Sequence, residues 1–214
     1  ISWGMGSSLQ IYMNTYFWEF KSIMLASYLG IYVLSTLSAY LIVPRLVEVI
    51  EKKTILLIAI SFAALIPPIP IILFINNLLP DTGTWNLFYA TIPFVYVANT
   101  CLSSSAIIRE SMLGDISDEV ELESGIGQQG LMFASSSLIG KLNTGLGILM
   151  AGITLEFINF PQGTDVTPTA ENIFNLAMVQ GPLVAILMII PFGIFSLYKI
   201  DRYRHQQILA KLNH

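Results

Sequence analysis

The sequence predicts an all-α, polytopic membrane bundle with six spans, and three observations carry that prediction. Of 214 residues, 54% are hydrophobic and 11% charged, whereas soluble domains carry about 25% charged residues. Mean hydropathy is +0.69. The apolar residues gather in long stretches, at about 1–18, 22–43, 54–75, 86–108, 131–155 and 173–198, uncharged but for Lys141 in the fifth, most of them exceeding the roughly 20 residues that cross a ~30 Å hydrocarbon core.

The first stretch is diluted by Gly4, Gly6, Ser7, Ser8, Gln10 and Asn14. It begins at Ile1, with no charged leading region and no small-residue cleavage site, so it does not read as a signal peptide. A fragment lacking its N-terminal part is the expectation. Ser8, Tyr12, Thr15 and Glu19 share one helical face, and Tyr16, Phe17 and Trp18 are expected as an interfacial aromatic belt. In the second stretch Tyr28, Tyr32 and Ser35 line one face. Pro67, Pro68 and Pro70 remove backbone donors from the third and predict a kink. Asn76-Asn77 and Pro80-Asp81-Thr82-Gly83 then turn the chain. The fourth stretch carries Tyr96, Asn99 and Ser103 at helical spacing.

Residues 109–130 are acidic, with Glu110, Asp115, Asp118, Glu119, Glu121 and Glu123, and read as a solvated inner loop ending in Gly125, Gly127 and Gly130. The fifth stretch follows, then breaks at Pro161-Gln162-Gly163 and Thr167-Pro168. The sixth leads into a tail at 199–214. Basic residues set the orientation. If the first span runs outward, Arg45, Lys52, Lys53, Arg109, Lys199, Arg202, Arg204 and Lys211 lie inside and only Lys21 outside, which puts the tail in the cytoplasm.

Lys141 stands alone in the fifth stretch, and a charge near the bilayer centre costs roughly 2.5–3.5 kcal/mol on insertion scales. The midpoint position argues against snorkelling, so a cavity or a partner is expected to hold it. Ser137 and Thr144 share its face, with Ser136, Gly140, Asn143 and Gly147 beside them. This polar face suits a water-filled cavity or a hydrophilic solute; a close-packing seam between helices is the alternative. Aromatic and polar groups such as Tyr12, Tyr32, Asn99 and Ser103 suit sugar binding, since rings stack on apolar sugar faces and polar groups pair with hydroxyls.

Soluble-enzyme chemistry finds no support. His205 and His214 lie in the tail, Cys101 is the lone cysteine, and no phosphate-cradling loop is present. A retinal-type Schiff base on Lys141 would need a carboxylate counter-ion at depth, and these spans supply none. The chain is not expected to be an enzyme, to hold a permanent cofactor or to bind nucleic acid.

The run Gly114-Asp115-Ile116-Ser117-Asp118-Glu119-Val120-Glu121-Leu122, followed by glycines and a helix with a central lysine, resembles the C-terminal half of the glycoside–pentoside–hexuronide cation symporters. These are the melibiose-permease-like branch of the major facilitator superfamily. Tyr16-Phe17-Trp18, Pro44-Arg45 with Lys52-Lys53, and the tail Tyr203-Arg204-His205-Gln206-Gln207-Ile208 are similar to other family segments. Glu119, Gln128-Gln129 and Glu51 depart from its pattern. The resemblance implies helices seven to twelve of a twelve-helix fold, with an N-terminal half absent. It implies uptake of a sugar or sugar-like solute coupled to Na+, H+ or Li+, the cation site lying chiefly in the absent half. Lys141 would face the central cavity, and Asp115, Asp118, Glu121, Arg45, Lys52 and Lys53 would form the cytoplasmic gating loops. A multi-pass plasma membrane protein follows, expected in a bacterial inner membrane. The rival readings are a non-transporting sensor or assembly subunit, and a carrier of lysolipid-like amphiphiles.

Overall fold

The computed structural model describes residues 2–161 and 167–189. The end of the expected sixth span and the whole tail, with its four basic residues, lie outside the described residues. Within them every regular element is helical. Helix α1 (Ser2–Tyr12) runs into a π turn (Met13–Phe17), and α2 spans Ser22–Val49. Helices α3 (Lys52–Leu65) and α4 (Pro68–Ile75) follow, then α5 (Trp85–Ser124) and α6 (Gln129–Phe157). Helix α7 (Ala170–Met178) passes through a second π turn (Val179–Leu183) into α8 (Val184–Ile189).

Among the described residues, five segments are long and apolar enough to cross a bilayer: Ser22–Val49, Lys52–Ile75, Trp85–Ser124, Gln129–Phe157 and Ala170–Met188. The expected first span is helical too, but residues 2–17 reach only about 24 Å at 1.5 Å per residue. It ends where Glu19 takes a left-handed φ of 54°. That corner is pinned to the loop before α5: Gly83 N donates to Trp18 O at 2.9 Å, and Thr82 Oγ1 donates to Glu19 Oε2 at 2.9 Å.

The proline cluster acts as expected. Helix α3 stops at Leu65 and α4 starts with Pro68 at a helix start, where a missing N–H costs nothing. The acidic segment does not form a loop. Helix α5 continues through it to Ser124, where Gly125 (φ 70°) closes the helix by donating to Glu121 O. The reason is local: from Arg109 to Ser124 the chain has no proline and carries four Glu beside Met112, Leu113 and Leu122, and Ile108, Met112 and Asp115 continue one buried face. Ile108 and Met112 pack with Val43, Ile55 and Leu56 in a small core at that end.

The main core lies at the other end and along α1. Phe17 and Trp18 are buried there, 7% and 5% exposed, against Phe74 at 5.3 and 5.6 Å between ring centres. They are packing residues of the bundle and not the lipid-facing belt expected, because the chain folds inward after the π turn. Tyr16 instead meets Phe160 edge-on at 5.3 Å.

Helices α2 and α5 are joined by a polar ladder. Tyr28 OH pairs with Thr91 Oγ1 (3.0 Å), Asn99 Nδ2 donates to Ser35 Oγ (2.5 Å), and Thr36 Oγ1 pairs with Ser103 Oγ (3.2 Å). Each such bond between membrane helices contributes about 0.6 kcal/mol on average. Helices α1 and α6 approach far more closely, because Gly4 faces Thr144 and Gly147 backbone to backbone.

Candidate functional site

A cavity of about 610 Å³ lies between α1, α2, α5 and the segment around the second π turn, with Pro67, Pro70 and Ile71 of the broken third span as its floor. That size falls within the ~300–1,000 Å³ usual for small-molecule sites. Its polar lining comes from Ser2, Ser7, Gln10 and Asn14 on α1 and its π turn, Tyr28 and Tyr32 on α2, Thr91 and Asn99 on α5, and Gln180. Indoles of Trp3 and Trp18 and apolar side chains complete it. No Asp, Glu, Lys, Arg or His is among its described lining residues.

Two π turns meet at this cavity, each carrying an amide. A π turn inserts one residue into a helix and swings the following side chains round, a device common at functional sites. Gln180 Nε2 donates to Gly6 O and to Gln10 Oε1, both at 3.0 Å, and Gln10 Nε2 donates to Asn14 Oδ1 at 3.0 Å. The directions are fixed: Gly6 O only accepts, so Gln180 must turn its nitrogen toward it. Gln180 Oε1 is left buried with no hydrogen-bond partner among the described residues, a state costing ~1–3 kcal/mol.

Of the residues expected at a solute site, Tyr32 and Asn99 line the cavity. Asn99 donates to Tyr32 O at 3.4 Å as well as to Ser35. Tyr12 points elsewhere, edge-on to Phe160 at 5.7 Å. Ser103 belongs to the α2–α5 ladder through Thr36. The α6 residues divide. Thr144, whose hydroxyl donates to Gly140 O at 3.0 Å, lies against Gly4 in the packing seam, and Gly147 joins it. Ser137, Lys141 and Asn143 are exposed and Ser136 is half-buried, and none of the four lines the cavity. Sequence reasoning missed Gln10, Asn14, Thr91 and Gln180. The signal was available for the first pair, since an i, i+4 amide pair in an apolar helix is unusual; no local pattern marks Gln180.

Among the expected gating residues, Lys52 Nζ bonds both carboxylate oxygens of Asp115 at 2.7 Å, tying the start of α3 to the extension of α5. The side chains are 25% and 12% exposed. Breaking this pair should cost more than the ~0–1 kcal/mol of a surface pair and less than the ~3–5 kcal/mol of a buried one. Asp118 accepts from Gln129 Nε2 at 3.3 Å, linking α5 to α6. Arg45 donates to Leu41 O at 2.6 Å within α2. Glu121 packs over Gly127. Lys53 and Glu119 also have partners at this end. We expect Lys52→Met and Asp115→Asn each to lower the melting temperature of the purified protein by several degrees. Lys52→Asp with Asp115→Lys should recover part of the loss; three variants as stable as the parent would rule out the tie.

A half-open cavity with amides and hydroxyls in a largely apolar lining, set among membrane-length helices, suits a solute carrier, and one comparison decides the family. A family model described as MFS/sugar transport protein matches residues 1–202. The chain belongs to this family. It is therefore a multi-pass membrane transporter of the major facilitator superfamily. Neither a curated protein nor a solved structure gave a significant match. The likeness to the melibiose-permease-like branch thus rests on the sequence motifs alone, whereas the superfamily is established for the transporter as a whole.

Proposed function

We propose that this bundle is the C-terminal half of a secondary active transporter that carries a sugar or sugar-like solute in symport with a cation. The observation that carries the reading is the cavity: amides, hydroxyls and aromatic rings converge on about 610 Å³ inside an otherwise apolar bundle. Amides and hydroxyls both donate and accept, as sugar hydroxyls do, and indole or phenol rings offer apolar faces to a sugar ring. The family description supports the same solute class.

In this reading the bundle alternates access by rocking against a second six-helix half. The end bearing Lys52 and Asp115 faces the cytoplasm, in keeping with the basic residues gathered there, and their ion pair opens and re-forms in each cycle. Lys141, exposed on α6, faces the other half and pairs with its carboxylates. Na+ or H+ is the coupling ion, held chiefly in that half. A unit charge crossing the full field contributes about 2.3 kcal/mol per 100 mV to accumulation.

Uptake of labelled glycosides into proteoliposomes holding the full-length transporter tests this, with Na+ and pH gradients imposed separately. One gradient should raise initial uptake at least tenfold, and an ionophore that dissipates it should return uptake to baseline. Uptake indifferent to both gradients would rule out symport. Absence of uptake for every glycoside in a correctly inserted protein would rule out the solute class.

A further inference from the structure

Resting on that reading, we propose that the cavity selects an uncharged polyhydroxylated solute and rejects the carboxylated form of the same sugar, with Asn14, Tyr32 and Asn99 as its hydrogen-bonding groups. The internal bonds of the cavity determine what each group has left to offer. On one wall, the Gly6 carbonyl orients Gln180, Gln180 orients Gln10, and Gln10 places its Nε2 on Asn14 Oδ1. Asn14 is thereby left with its Nδ2 as a donor. On α5, Asn99 spends Nδ2 on Tyr32 O and Ser35 Oγ and keeps Oδ1 as an acceptor. The Tyr32 hydroxyl, which donates or accepts, has no partner among the described residues, although the neighbouring Tyr28 hydroxyl is occupied by Thr91.

Asn14, Asn99 and Tyr32 together therefore present one donor, one acceptor and one group that serves as either. A sugar hydroxyl answers all three. A carboxylate only accepts: it would leave Asn99 Oδ1 facing a like partial charge. It would also surrender its hydration with no Lys, Arg or His among the described lining residues to replace it. Lys141 does not remedy this, since it stands outside the lining.

The test uses solutes that differ only in that group. Binding of 4-nitrophenyl glucoside and glucuronide, and of the galactoside and galacturonide, is measured by calorimetry on the purified full-length transporter at neutral pH. The neutral member of at least one pair should bind ten times more tightly, or better. A uronide that binds equally or more tightly overturns this selectivity and leaves the sugar-carrier reading standing. A folded, monodisperse protein that binds no member of either pair overturns both. Tyr32→Phe removes a hydroxyl with no internal partner, so its melting temperature should hold while affinity for the neutral glycoside falls about five- to tenfold, the worth of one hydrogen bond. Unchanged affinity would remove Tyr32 from the site.

Discussion

Gly4→Val is expected to separate α1 from α6 and leave little folded transporter. A Cβ on Gly4 would stand 2.6 Å from Thr144 O, 3.0 Å from Thr144 Cα and 3.1 Å from Gly147 Cα. All three are backbone atoms, so no rotamer change relieves the contact, and one helix has to move. Overpacking of this kind costs about 1–3 kcal/mol where side chains yield, and a backbone obstacle puts valine at or beyond the top of that range. Close approach through small residues is also how membrane helices gain contact energy without a hydrophobic drive. Gly30→Ala and Gly145→Ala meet nothing within 4 Å and serve as controls that should fold normally. Thermal unfolding followed by fluorescence-detected size exclusion separates the three. A Gly4→Val protein as stable as the Gly145→Ala control would show that α1 does not dock on α6 in this way.

Lys141→Met is expected to reduce cation-coupled uptake to background, a loss of a hundredfold or more, with membrane insertion unchanged. At 100° per residue Lys141 lies about 60° round α6 from Thr144, on the flank of the α1–α6 seam and not within it. Methionine there removes the charge and keeps most of the length, and it disturbs no packing, because the side chain is exposed on this bundle. Lys141→Arg keeps the charge and should retain partial uptake. Parental rates in Lys141→Met would defeat the coupling role, and a fall in protein at the membrane matching the fall in uptake would make the residue structural.

What the sequence made legible follows from the range of the forces involved. The proline break before Pro68 and the turn through Gly83 are set by backbone sterics within a few residues, and both stand where expected. The extension of α5 is not legible from charge alone, because an acidic run suits a solvated loop and a charged helix with one buried face equally well. The cavity was half legible. Tyr32 and Asn99 stand out in the sequence as polar groups in apolar spans, whereas Lys52 and Asp115, outside the cavity, are marked only by the family resemblance. Gln180 does not stand out, since its meaning arises only when the second π turn carries it beside Gln10, 170 residues away in sequence. Thr144 and Lys141 show the same limit at finer grain: helical spacing puts them on one face, yet only a partner glycine decides that the threonine packs and the lysine does not.

The unbroken run of α5 past the core turns that helix into a mechanical lever. Forty residues make a rod of about 60 Å, and the 16 steps from Asn99 to Asp115, free of proline, make an arm of about 24 Å. A tilt of roughly 10° about Asn99 sweeps Asp115 through about 4 Å, more than the 2.7 Å that joins it to Lys52. In the proposed transport cycle, a small angular adjustment around a bound solute would be magnified at the far end of this arm into a displacement large enough to part Asp115 from Lys52.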